Sequence, residues 1–456
     1  MKFVNVLFVV LLYCTHLSAQ VTLPNNLYFT HIGVEDGLCQ NTVCCILQDH
    51  LGFIWLGTKD GLTRYDGYRF RVFKHDAADP MSIGNNFIRV LYEDADGLIW
   101  IGTNVGVYIY NPETENFRKF DVVTERGDVI SREVSSIKCD SSGDLWIGVN
   151  WQGVFRYDRR DESLELYEPV PGDTTSLSSV HVWDLCFDGD GNLWVGSQNG
   201  GLDRYDRETD RFVRHRLKGL SDVSRIVLDK QNQLLLGTMK DGLFSFNPYM
   251  GTCQPLLLDS GHKDLFVRAI FVRNSREVVV GTENGIYIYD CVTRKTRHVN
   301  QELGNPYSLS CKAVYSIYCD KEGALWIGTY FGGVNYLPPS SSLIFDKFYP
   351  IGHSDRLSGK AVREFVRDEN GIIWIGTEDQ GLNRFDPVSG KFTHYNSRNS
   401  GLSCDNVHGL CVDGDRLYIG TFFGGFNIMD LKTNEIVALG SQMLPDDSVF
   451  SIFRDH

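Results

Sequence analysis

Beyond residue 20, apolar residues in this chain fall in short runs broken by Asp, Gly and Asn, with strand-like rather than helical content. The stretch Val43-Cys44-Cys45-Ile46-Leu47-Gln48-Asp49, then Phe53-Ile54-Trp55-Leu56-Gly57-Thr58, Gly61-Leu62-Thr63-Arg64-Tyr65 and Arg69-Phe70-Arg71-Val72-Phe73 reads as four short strands separated by turns. Blocks resembling Trp-Ile-Gly-Thr then recur at Trp55, Trp100, Trp146, Trp194, Leu235, Val279, Trp326, Trp374 and Tyr418, at spacings of 41 to 48 residues. A strand-rich repeat of that length predicts one four-stranded propeller blade per period.

Within each repeat a turn is marked by Asp at its first and Gly at its fourth position: Asp94/Gly97, Asp140/Gly143, Asp188/Gly191, Asp320/Gly323 and Asp368/Gly371. Three residues before the turn Asp stands an apolar row (Ile46, Leu91, Ile137, Leu185), and six before it a mostly Val row (Val43, Ile88, Val134, Val182). Their odd separation predicts that the two rows face opposite sides of the strand. Such a sheet must be covered on both sides, as a blade between two others is. Six of the eight tryptophans occupy one repeat position and read as packing residues.

Counting strands leaves the seventh repeat one short, and Leu27-Tyr28-Phe29-Thr30-His31 can supply it by fastening onto the blade of Trp326, which abolishes an open edge. The expectation is all-β: a seven-bladed β-propeller over 27–337, a Pro/Ser linker at 338–342, and over 343–456 the first two to three blades of a second propeller. Residues 449–455 resemble the first strand of a tenth repeat, which reads as a truncated piece of a longer protein.

The net charge of −14 argues against nucleic acid or an anionic membrane as direct partner. Residues 1–19 have the form of a signal peptide, with Lys2, an apolar run from Phe3 to Tyr13 and Ser18-Ala19-Gln20 at the cleavage point. No later segment is apolar for long enough to span a bilayer. A periplasmic location is expected. Twelve cysteines include no Cys-x-x-Cys, and five of them replace apolar residues in first strands, so neither a zinc site nor a disulfide framework is implied, while an isolated disulfide stays open. Asp94-Ala95-Asp96-Gly97 and Asp188-Gly189-Asp190-Gly191 lack the further carboxylate of a calcium loop and read as turns. No cofactor is expected.

The opening motif, Gly37-Leu38 … Asp49 … Gly52-Phe53-Ile54-Trp55-Leu56-Gly57-Thr58 … Asp60-Gly61-Leu62 … Arg64-Tyr65-Asp66-Gly67, resembles the two-component regulator propeller repeats of hybrid two-component sensors. The resemblance implies tandem seven-bladed propellers, an immunoglobulin-like domain, one membrane span, a histidine kinase core, a receiver and a DNA-binding helix-turn-helix. It also implies oligosaccharide signals read by an ectodomain that pairs as a homodimer. No catalytic residue carries over, because this chain contains no kinase segment.

Candidate ligand contacts come from positions where the repeats differ. Five residues before each turn Asp stand Cys44, Arg89, Ser135, Trp183, Ser224, Arg268 and Tyr315, at the upper end of the innermost strands. Arg89, Trp183, Arg268 and Tyr315, with Trp151 above them, are expected to form a glycan-recognition patch, since aromatic faces stack on sugar rings and guanidinium groups take oxygens. Tyr330 and Phe331 join it from a neighbouring loop, or contact a second protomer. The plainer alternative is that Trp183 and Tyr315 plug the channel while the arginines pair with nearby acids. A propeller lyase or glycosidase and a protein-interaction scaffold remain as other readings; the glycosidase would need two carboxylates, and only Asp184 stands near the inner rows.

Overall fold

The computed structural model describes residues 22–217, 220, 222–256, 265–339, 347–350, 356–439 and 446–455. The leader at 1–19, linker residues 340–342 and the start of the 343–348 segment lie outside them. Among the described residues the one helical element is a 3-10 turn, Val34–Asp36; the rest is built from nine four-stranded antiparallel sheets. The chain divides into two compact units, residues 1–302 with 307–344 and residues 303–306 with 345–456.

In the first unit, blade 1 comprises Val43–Gln48, Ile54–Thr58, Gly61–Tyr65 and Phe70–Phe73, and its order is repeated in the next five blades. Blade 7 takes three strands from Val314–Leu337 and its outermost from Thr30–Ile32, paired Thr30↔Tyr336 and Ile32↔Val334. That strand starts three residues later than 27–31. Phe29 is buried beside Leu309, Val314 and Leu325, and its N–H donates to Tyr307 O (2.9 Å), so the chain plugs the core before joining the sheet.

Glycine sets how closely blades approach. Gly57 faces Ile88 of the next blade, Gly102 faces Val134, Gly148 Val182, Gly196 Val223, Gly237 Val267, Gly281 Val314, and Gly328 returns to Val43. A Cβ on any of these glycines would lie 2.6–2.9 Å from its partner's methyl group, too near for any other residue. The circuit of seven contacts is closed, so no blade has a bare face.

The indole N–H of every packing tryptophan donates to the turn Asp six residues earlier: Trp55 to Asp49 (2.7 Å), Trp100 to Asp94 (2.8 Å), Trp146 to Asp140 (3.2 Å), Trp194 to Asp188 (2.8 Å), Trp326 to Asp320 (2.8 Å) and Trp374 to Asp368 (2.9 Å). The other carboxylate oxygen accepts turn N–H groups, as Asp94 does from Asp96 and Leu98 (3.0 and 2.9 Å). One buried carboxylate thus ties turn to core.

The structure corrects the expectation about strand faces. Six of the seven first strands carry a β-bulge, with register slipping between Val43 and Cys45, Ile88 and Val90, Val134 and Ser136, Val182 and Asp184, Val267 and Ala269, and Val314 and Ser316. The extra residue restores parity. Val43 and Ile46 therefore pair opposite Thr58 and Leu56 and share one face, toward Trp326. The other face is covered through Cys45, Leu47 and Trp55.

The second unit holds two complete sheets, beginning at Val362–Arg367 and Val407–Asp413, with Gly376 against Val407. Phe348 packs on Phe385 and Phe392 at 4.9 and 5.6 Å. Val449 occupies the next Val slot, against Gly420, but residues 449–455 form no strand. The eleven described cysteines are unbridged.

Candidate functional site

The six bulge residues are Cys44, Arg89, Ser135, Trp183, Arg268 and Tyr315, which is the variable row singled out in the sequence apart from Ser224. A bulge turns its extra side chain out of the pleat. Here all six turn into one cavity of about 200 Å³ at the mouth of the first ring, completed by Lys59, Phe87, Glu133, Val134 and Arg225.

Three of the bulge residues lean on the residue 15 positions later, just past the second strand. Arg89 Nε donates to Asn104 Oδ1 (2.7 Å), Arg268 Nε donates to Glu283 Oε1 (2.7 Å), and Tyr315 packs on Tyr330 (5.1 Å between ring centres). Arg89 also pairs with Glu133 at 3.1 Å and lies over the Phe87 ring at 4.1 Å. The Arg268 guanidinium is stacked between Phe266 and Tyr315, 3.7 and 4.7 Å from their centres. Both arginines foreseen from the sequence are thus ion-paired, as the plainer alternative had it.

Arg225 and Lys59 are different. Arg225 Nε donates to Arg268 O (2.7 Å) and its NH1 to Ser224 O (3.0 Å), with no carboxylate in salt-bridge range among the described residues. Burial, then the charges of Arg268 and Arg89, press its pKa down, and Asp184 partly offsets them. Lys59 Nζ donates to Tyr330 Oη (3.0 Å) and sits 4.2 Å from that ring's centre. Trp183 Nε1 is buried without a hydrogen-bond partner. Burial raises the Cys44 thiol to about 11, which keeps it neutral.

Arg89, Trp183, Arg268 and Tyr315 are therefore brought together, and Tyr330 stands directly behind Tyr315. Trp151 and Phe331 do not line the cavity. Trp151 is 65% exposed, in a left-handed conformation (φ 70°), its ring edge-on to His181 at 4.1 Å; Phe331 is 69% exposed against Tyr330 at 4.2 Å. Arg225 was missed because the sequence row pointed at Ser224, whose hydroxyl instead donates to Val267 O (2.8 Å). The fifth blade's first strand, Arg225–Leu228, carries no bulge, so the next residue occupies the mouth. Lys59 could have been found: it belongs to the same row as Asn104, Glu283 and Tyr330.

Fold and site together define a closed β-propeller with a cationic, aromatic-walled cavity at its channel mouth. The profile described as "Two component regulator propeller" matches residues 37–60, 82–105, 176–199, 308–331 and 356–379. A curated relative, Histidine kinase P4 of Formosa agariphila, is 39% identical over 59 residues, a match spanning 13% of this chain and 4% of that kinase. Among solved structures, the extracellular domain of the hybrid two component system BT3049 from B. thetaiotaomicron is 23% identical, covering 94% of this chain and 69% of that one, with a TM-score of 0.69. Virginiamycin B lyase from Staphylococcus aureus is 12% identical over 69% of this chain and 99% of its own, at a TM-score of 0.53. At these identities the two structures speak to the fold.

Proposed function

We propose that this chain is the extracytoplasmic ligand-sensing part of a hybrid two-component signalling protein that regulates transcription, and that its ligand is an oligosaccharide. The leader-like residues 1–19 would export it to the periplasm, residues 27–337 would form the binding ring, and signalling would act through a homodimer of ectodomains in an inner-membrane-anchored protein. The observation that carries this reading is the convergence of side chains from all seven blades on one cavity, at the positions where the repeats differ most. Repeat positions that serve packing are uniform; those that serve recognition need not be.

The same cavity speaks against a propeller lyase or glycosidase. Its lining holds no histidine, and its one carboxylate, Glu133, is engaged by Arg89. Titration calorimetry of an oligosaccharide panel into this chain, and into Arg268→Ala, tests the proposal. Binding that weakens at least ten-fold in the variant is expected. Affinity equal in both proteins would remove this cavity as the site.

A further inference from the structure

The geometry points to an anionic ligand group at the channel mouth, a sulfate or carboxylate held by the Arg225 guanidinium, Lys59 and the Trp183 indole N–H. This rests on the reading of the cavity as the ligand site and goes on to name the chemistry it selects.

Four cationic side chains line the cavity, in a chain whose net charge is −14. Glu133 and Glu283 account for Arg89 and Arg268. Arg225 and Lys59 are left without an ion pair among the described residues. Asp184 is the acid that Arg225 feels most, but its oxygens are already spent. They accept from Ser136 Oγ (2.9 Å), Leu185 N (2.9 Å) and Ile226 N (3.0 Å), which points the carboxylate away from the mouth and into the blades.

The donors are also unspent. A guanidinium carries five N–H groups, and Arg225 uses Nε and one NH1 hydrogen on backbone carbonyls. The remaining donors have no protein acceptor among the described residues. Trp183 Nε1 is a buried donor without a partner, in a fold where the indoles of the six packing tryptophans are all satisfied. A buried unpaired donor costs stability and calls for an acceptor. Neutral hydroxyls would satisfy the indole but leave the like charges of Arg225, Arg268 and Arg89 facing one another. An anion does both.

Size restricts the choice further. At about 200 Å³ the cavity is smaller than the roughly 300–1,000 Å³ that encloses a whole drug-sized ligand. It fits a free oxyanion or one acidic unit at the end of a longer molecule.

The test is calorimetric titration of the 456-residue chain with sodium sulfate, sodium glucuronate and glucose at fixed ionic strength. One or both anions should bind, competing where both do, and glucose should not. Affinity should fall at least ten-fold in Arg225→Met and severalfold in Trp183→Phe, with an unchanged circular dichroism spectrum. Sulfate alone binding would assign a sulfate-type ligand, glucuronate alone a carboxylate. If Arg225→Met does not fold, Trp183→Phe and Lys59→Gln decide. No anion binding, glucose binding as well as glucuronate, or full affinity in every folded variant overturns the proposal. Neutral oligosaccharides that bind and are lost in Arg268→Ala would keep the sensing reading while sinking this one. Sulfate binding lost in Arg225→Met, with no sugar bound at all, would do the reverse.

Discussion

Asp203 is a carboxylate standing where three other blades place an amide. It pairs opposite Val195, the register held by Asn335, Asn383 and Asn427 in their sheets. Asn335 accepts Ser310 N–H (2.8 Å) at Oδ1 and donates Nδ2 to Ser310 Oγ (2.8 Å). Asp203 accepts Ser178 N–H (2.8 Å) at Oδ2, but its Oδ1 and the Ser178 Oγ are both buried without partners. Burial raises its pKa from 3.8 to about 6, with the hydrogen bond from the Ser178 backbone N–H and the charge of Arg214 opposing. Because the folded pKa lies above the unfolded one, the folded state holds more protons between pH 4 and 6. Stability is therefore full below about pH 4, falls as pH rises through 6, and is flat above. The difference of about two units corresponds to about 3 kcal/mol. Asp203→Asn removes the charge and restores the donor. At pH 8 the variant should be more stable by about 1–3 kcal/mol, on the order of 5 °C in Tm, and at pH 4 the gain should vanish. Urea unfolding of both proteins at the two pH values measures it. A gain of equal size at both pH values, or a loss at pH 8, would refute the reasoning.

Asp49→Ala strips the acceptor from Trp55 Nε1 and Phe53 N and should cost about 2–4 kcal/mol in denaturant unfolding. Gly102→Ala puts a methyl 2.4 Å from Val90 Cγ1 and 2.6 Å from Val134 Cγ1, where overpacking should cost about 1–3 kcal/mol by the same measurement. Trp151→Gly relieves a left-handed backbone at an exposed site, so Tm should hold or rise; a clear drop would show that Trp151 serves folding rather than recognition.

Much of the candidate site was legible because repetition supplies its own background. Wherever Val, Asp, Trp and Gly recur at fixed positions, a position that reads Cys, Arg, Ser, Trp, Ser, Arg and Tyr in successive repeats is not set by packing. What escaped was geometry within a single strand. The odd separation of Val43 and Ile46 suggested opposite faces, because nothing local in the residues announces a bulge at Cys44. The same gap hid Arg225, which reaches the mouth only because its blade lacks that bulge. Trp151 and Phe331 were placed beside the cavity by loop position; both stand exposed and neither lines it.

The period, the strand pattern and the turn chemistry are local properties, and local properties are written in order along the chain. They determined an all-β repeat protein, the tryptophan packing row and six of the mouth-lining residues, Cys44, Arg89, Ser135, Trp183, Arg268 and Tyr315. Tertiary structure decided which charges cancel. Arg89 meets Glu133 and Arg268 meets Glu283 while Arg225 and Lys59 form no ion pair among the described residues, and Asp184 turns into the blades. These are contacts across strand ladders and between blades, set by register and by the radial stacking of blades on glycine. Residues far apart in the sequence acquire a mutual distance only once strands pair and blades stack.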